Sequence, residues 1–306
     1  MGRPRRPFRR CLWMWLALIP LAPSAMADAE QVARGRYLLQ AAGCAGCHTD
    51  RDNDGEPLAG GRAIVTPFGT FFSPNITADA ETGIGRWTDA QFLRALKAGI
   101  APDGALYSPA FPYTSYVRMT REDALAIKAY LFSLPPVAQQ NRAHELPWYL
   151  RWSPPLWLWR TLNFDAGPLP RAGDPQLQRG AYLAEALAHC GECHTPRGAM
   201  GGILDHRQYA GTQSGPEGKT IPNITPDRET GIGRWSRDDL VFYFQLGLTP
   251  GGDSAGGLMA EVIDDGLSRL TPEDQHALAA YVLSRPAVAN RLQREKKKGS
   301  RRGEFD

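Results

Sequence analysis

Residues 44–48 read CAGCH and residues 190–194 read CGECH. In each, two thiols stand three residues apart and a histidine follows the second. On a helical turn this spacing brings both sulfurs within reach of the two vinyl groups of one porphyrin. It also points the imidazole at the iron from the same side. C-x-x-C-H is the attachment signature of c-type haem. A redox C-x-x-C needs no histidine and usually opens a helix beside a parallel sheet, a pattern not seen in this sequence. A zinc site built from the two cysteine pairs would leave both histidines unexplained. The expected cofactors are two covalently attached haem c groups, one on Cys44 and Cys47, the other on Cys190 and Cys193. His48 and His194 are the expected proximal iron ligands.

The surroundings of the two motifs repeat. RGRYLLQAAG (34–43) precedes the first, and RGAYLAEALAH (179–189) precedes the second. PNITADAETGIGRW (74–87) matches PNITPDRETGIGRW (222–235) at 12 of 14 positions. Each copy continues with helix-start signals, Thr88-x-x-Gln91 and Thr120-x-x-Asp123, then Ser236-x-x-Asp239 and Thr271-x-x-Asp274. AYL (129–131) and AYV (280–282) lie on the apolar faces of the closing helices. A repeat of this size implies two copies of one haem domain.

The ends of the chain differ from its body. Five arginines between Arg3 and Arg10, the apolar run CLWMWLALIPLA and the A-x-A sequence Ala25-Met26-Ala27 form a secretory signal peptide over residues 1–27. The run is too short to be a membrane span. Without those residues the chain carries 30 basic against 32 acidic groups, and residues 28–290 alone carry 23 against 29. The +3 net charge of the whole chain therefore belongs to its two ends. A nucleic-acid binder needs a basic face on the fold itself, so that class is excluded. Residues 291–306 are expected to be a basic, solvated tail.

Glycine and tyrosine in a short N-terminal helix (Gly35-x-Tyr37, Gly180-x-Tyr182), C-x-x-C-H and a final helix bearing tyrosine resemble class I cytochrome c. In that fold the first and last helices cross, glycine permitting the close approach and aromatics filling the contact. FGTFFSPNIT, ETGIGRW and GLMAEV are similar to the multihaem cytochrome c subunits of bacterial alcohol, gluconate and related sugar dehydrogenases. The resemblance covers residues 30 to 290. It implies an all-α fold of two tandem class I cytochrome c domains, 28–140 and 174–290, joined by an aromatic and proline-rich linker over 141–173. Those subunits usually carry three haem domains and a membrane anchor; this sequence shows two domains and no anchor.

A thioether ligand favours reduced iron and suits an electron carrier. Met259, in GGLMAEV ahead of the last helix, stands where the family places its sixth ligand. In the first copy the corresponding phrase reads PAFPY, with Phe111 where relatives often have methionine. Met119 is the expected sixth ligand there, the alternatives being His144 or a five-coordinate iron. Met119 directly precedes the cap Thr120 and aligns with Leu270, so packing on the first helical turn is the competing role. Met200, six residues beyond His194, lies on the proximal side.

Four of the eight tryptophans fall between Trp148 and Trp159, where Arg151 and Pro154-Pro155 interrupt the apolar run. That segment is expected either to strap both haem domains or to present a patch to a partner or membrane interface. The functional expectation is a periplasmic electron carrier, working between a dehydrogenase catalytic subunit and a downstream quinone, cytochrome or oxidase. The alternative is a dihaem enzyme of the peroxidase or thiosulfate dehydrogenase type, with the first haem catalytic.

Overall fold

A computed structural model describes residues 23–150, 153–169 and 173–293. Residues 1–22 of the expected signal peptide and 294–306 of the basic tail lie outside these. Among the described residues no helix is long and apolar enough to cross a membrane.

The first half runs α1 (Pro23–Ala41), α2 (Cys44–His48), β1 (Ala63–Thr66), β2 (Gly69–Phe72), α3 (Asp89–Ala98), α4 (Tyr113–Tyr116) and α5 (Arg121–Ser133). After α6 (Ser153–Asn163), the second half runs α7 (Pro175–Ala181), α8 (Cys190–His194), α9 (Arg237–Leu246), α10 (Leu258–Asp265) and α11 (Pro272–Leu283). The four sequence start signals all form caps. Thr88 and Ser236 make reciprocal capping boxes with Gln91 and Asp239, while Thr120 and Thr271 accept from the amides of Asp123 and Asp274.

One feature departs from the all-α expectation. AIVT and GTFF pair as an antiparallel hairpin with Ala63 opposite Phe72 and Thr66 opposite Gly69. β-Branched and aromatic residues on either side of a two-residue turn favour this over a helix. Glu145 extends the hairpin by exchanging main-chain bonds with Thr70.

The first and last helices of each half cross at a glycine, α1 on α5 and α7 on α11. A Cβ on Gly35 would lie 1.9 Å from the Ala126 carbonyl oxygen, and one on Gly180 would lie 2.1 Å from that of Ala277. The aromatics at these crossings are Tyr130 and Tyr281. Tyr37 and Tyr182 leave their own half: the Tyr37 hydroxyl donates to Asp274 at 2.5 Å and that of Tyr182 to Asp123 at 2.5 Å. Each half thus places a tyrosine on the closing helix of the other.

The halves differ by one residue. Ten positions separate Arg34 from Cys44, and eleven separate Arg179 from Cys190. The extra residue is absorbed in a π-helical turn over Tyr182–Leu187, a common way to insert a residue without breaking a helix. At the end of this segment His189 adopts φ 41°, in the left-handed region, where the first half has Gly43 at φ 63°.

Within α6, Trp159 Nε1 donates to the Met200 carbonyl of the second half at 2.9 Å. Arg160 reaches the Ala98 carbonyl of the first half at 2.5 Å, with its guanidinium 4.1 Å from the centroid of Phe164. One face of α6 therefore straps both halves. Trp157, Leu158 and Leu162 on its other face stay exposed.

Candidate haem-attachment site

Both C-x-x-C-H segments form five-residue helices, α2 and α8, entered through the left-handed residues Gly43 and His189. All four cysteines are free of disulfides. Burial and the neighbouring Cys47 push the Cys44 thiol up to about 12. Burial and Glu185 push the Cys190 thiol up to about 12.

Each histidine is fixed by a proline carbonyl. His48 Nδ1 lies 2.8 Å from Pro74 O, and His194 Nδ1 lies 2.9 Å from Pro222 O. A carbonyl can only accept, so Nδ1 carries the proton and Nε2 keeps its lone pair for a metal. Burial holds both imidazoles below their usual pKa, against the opposing pull of the proline carbonyls, which favours the neutral ligand form. Two thiols at the right spacing with an imidazole locked in the ligating tautomer fit haem c in both halves.

The carbonyl loops come from the PNIT…ETGIGRW repeat. Asn75 Oδ1 accepts from Thr77 N at 2.9 Å, while Asn75 Nδ2 donates to Val137 O at 2.7 Å. Asn223 repeats this with Thr225 N at 2.9 Å and Val288 O at 2.8 Å. Asp79 and Asp227 brace the same loops through Thr82 and Thr230. Asn75 and Asn223 therefore shape the loop that aims the histidine. Pro74 and Pro222 are the functional residues that sequence reading passed over. Their signal was the repeat itself.

The segments expected to supply the sixth ligands differ between the halves. Counted from the helix-ending glycines, Phe111 and Met259 are equivalent, each twelve residues beyond Gly99 or Gly247. Matching main-chain bonds, Tyr107 N to Gly99 O and Ala255 N to Gly247 O, confirm that register. Met259 is half-buried against the core at the start of α10. Phe111 packs against Tyr107 and Tyr116 at centroid distances of 5.8 and 5.7 Å. Met119 is 1% exposed in the core, at the position taken by buried Leu270 in the second half. Met200 is exposed. His144 is held on the hairpin, its Nδ1 accepting from Phe72 N at 3.1 Å.

The two attachment helices are crossed by elements of the opposite half. Arg62 joins the Gly46 carbonyl of α2 to Glu261 of α10, and Arg51 pairs with Asp265 at 2.6 Å. Thr114 and Ser115 of α4 donate to Glu192 of α8 at 2.6 and 3.2 Å. His189 meets Tyr116 edge-on at 5.6 Å.

A family model described as cytochrome c matches residues 32–135. The diheme cytochrome c-type protein of Cereibacter sphaeroides is 39% identical over 301 residues, covering 92% of this chain and 99% of that protein. The gluconate 2-dehydrogenase cytochrome c subunit of Pantoea cypripedii is 38% identical over 283 residues, 88% of this chain and 64% of its own length. The alcohol dehydrogenase (quinone) cytochrome c subunit of Gluconobacter oxydans is 37% identical over 271 residues, 86% of this chain and 56% of its own. This chain thus spans less than two thirds of those two subunits. The attachment helices, the proline-held histidines and these relatives together place the chain in the cytochrome c family.

Proposed function

We propose that the protein is a periplasmic dihaem electron carrier, built from tandem class I cytochrome c domains at 28–140 and 174–290 with a linker at 141–173. It would take electrons from a dehydrogenase catalytic subunit and pass them to a quinone, cytochrome or oxidase of the respiratory chain. The observation that carries this reading is the duplicated attachment helix, each with its histidine held at Nδ1 by a proline carbonyl. Bound haem c supplies a one-electron iron couple; the protein supplies tethering, orientation and electrostatics.

In this reading Cys44, Cys47, Cys190 and Cys193 hold the two haem groups. His48 and His194 ligate through Nε2, and Met259 is the sixth ligand of the second half. For the first half the proposed ligand is Met119, whose burial fits a thioether inside a haem core but whose position is that of Leu270. The cross-half contacts of α2 with α10 and of α4 with α8 keep the two centres in one fixed arrangement.

The placement of Phe111 at the position of Met259 favours a second reading, in which the first iron has an open coordination site and binds a small substrate such as peroxide. The test is the holoprotein matured with a haem-attachment system. Two haem groups by mass and two low-spin spectra support the carrier. A high-spin half that binds cyanide and turns over peroxide replaces it with the enzyme.

A further inference from the structure

The π-helical turn carries Glu185, a half-buried carboxylate in the second half. Counting from the helix tyrosines or back from the first attachment cysteine, its counterpart in the first half is Gln40 or Leu39, both uncharged. Glu185 Oε1 accepts from the Tyr209 hydroxyl at 2.7 Å and from that of Tyr281 at 2.8 Å. Gln208 Nε2 donates to both carboxylate oxygens, at 2.9 and 3.0 Å. Burial raises the pKa of both tyrosines, and Glu185 adds to it, so both hydroxyls stay protonated and donate. Arg285, the cation beside this cluster, bonds to the Gln208 side-chain oxygen at 3.0 Å rather than to Glu185.

The cluster touches the attachment helix. Tyr209 stands between the carboxylate and α8, its ring 3.8 Å from where a Cβ on Gly191 would lie, and its amide donates to Thr195 Oγ1 at 3.1 Å. Glu185 also lies close enough to raise the Cys190 thiol. A fixed negative charge in a partly dry site stabilises the oxidised, more positive state of a nearby iron and lowers its potential.

We infer that Glu185 is a positioning charge that holds down the reduction potential of the second-half haem, with no counterpart in the first half. The inference rests on the two-haem reading above. Charge interactions of this kind are worth on the order of tenfold in the electron's distribution between two centres, which is about 59 mV for a one-electron couple.

The experiment is a redox titration of the full holoprotein, following both haem groups, for the parent, Glu185→Gln and Tyr281→Phe. In Glu185→Gln we expect the second-half potential to rise by about tenfold in electron affinity, with the first-half potential unchanged. Tyr281→Phe keeps the charge and removes one donor, so it should unfold at lower temperature while its potential stays below that of Glu185→Gln. Equal shifts in both variants would mean that packing acts rather than charge, and would overturn the inference. So would a Glu185→Gln titration that superimposes on the parent. A parent showing a single haem titration would overturn the two-haem reading itself. Should Glu185→Gln fail to mature, Gln40→Glu, at the half-buried counterpart position, offers the reverse test: the first-half potential should fall, and an unchanged one counts against the inference.

Discussion

The Tyr37 hydroxyl donates to Asp274 Oδ2 at 2.5 Å and accepts from the Thr271 amide at 3.3 Å, docking on the first turn of the other half's closing helix. Tyr182 does the same in reverse, with Asp123 at 2.5 Å and the Thr120 amide at 3.2 Å. Each aspartate also receives an arginine from its own half, Arg179 on Asp274 and Arg34 on Asp123. The carboxylates are thus saturated by an intra-half cation and an inter-half hydroxyl. The halves are coupled at two related points.

Removing both hydroxyls should loosen that coupling. Hydrogen bonds to charged groups contribute about 1.5–3 kcal/mol each. Tyr37→Phe with Tyr182→Phe should therefore lower the denaturation midpoint and separate the unfolding of the two halves, read by haem absorbance in a guanidinium titration. A midpoint equal to the parent's would remove the interface from the stability argument.

The same cluster sets an acid dependence. Burial alone would raise the Asp274 pKa, but the hydrogen bonds from Arg179 and Tyr37 and the charge of Arg179 outweigh it and hold it below the usual carboxylate value. A depressed folded-state pKa gives stability that is present above the unfolded value, about 3.9, and is lost as pH falls through the folded one. Melting temperatures of parent and Asp274→Asn should differ at neutral pH and converge below about pH 4. Convergence between pH 5 and 8 would contradict the assignment.

Gly35→Ala and Gly180→Ala should each cost about 3 kcal/mol or more, since the new Cβ would meet a backbone carbonyl that cannot move without shifting a helix. Chemical denaturation of the holoprotein measures this. A loss below about 1 kcal/mol would mean that the crossing is looser than the structure shows.

Met259→Leu should abolish half of the methionine-to-iron charge-transfer band. Met119→Leu decides the first half: loss of the remaining band makes Met119 the ligand. An unchanged spectrum assigns it to packing, like Leu270, and leaves His144 or an open position for the first iron.

Asn223→Ala should leave the Thr225 amide without its side-chain partner, a cost of about 1–3 kcal/mol, while the Val288 carbonyl keeps the Thr225 hydroxyl at 3.3 Å. Since this loop holds the Pro222 carbonyl on His194, the second haem should also show a larger high-spin fraction. A stability loss with unaltered ligation would confine Asn223 to loop shaping.

Much of this site is written locally. Cysteine and histidine spacing and cap residues each act over a single turn, and the helices they imply are present. The PNIT…ETGIGRW repeat is legible as a repeat, but its bonds to His48, His194, Val137 and Val288 are long-range. The hairpin lies outside the all-α expectation although its pairing is local, Ala63 opposite Phe72 and Thr66 opposite Gly69. Tyr37 and Tyr182 read as fillers of their own helix crossing, and only the meeting of the halves turns them outward. The proline carbonyls were overlooked because a main-chain oxygen has no side-chain signature.

Haem attachment, duplication and helix boundaries follow from covalent spacing and short-range hydrogen bonding, so the amino-acid order alone determines them. Which tyrosine meets which aspartate, how Glu185 comes to accept from Tyr209 and Tyr281, and why Met119 is buried in the core were decided by long-range packing. Those contacts join residues dozens to hundreds apart, and they form only when two buried surfaces close on one another.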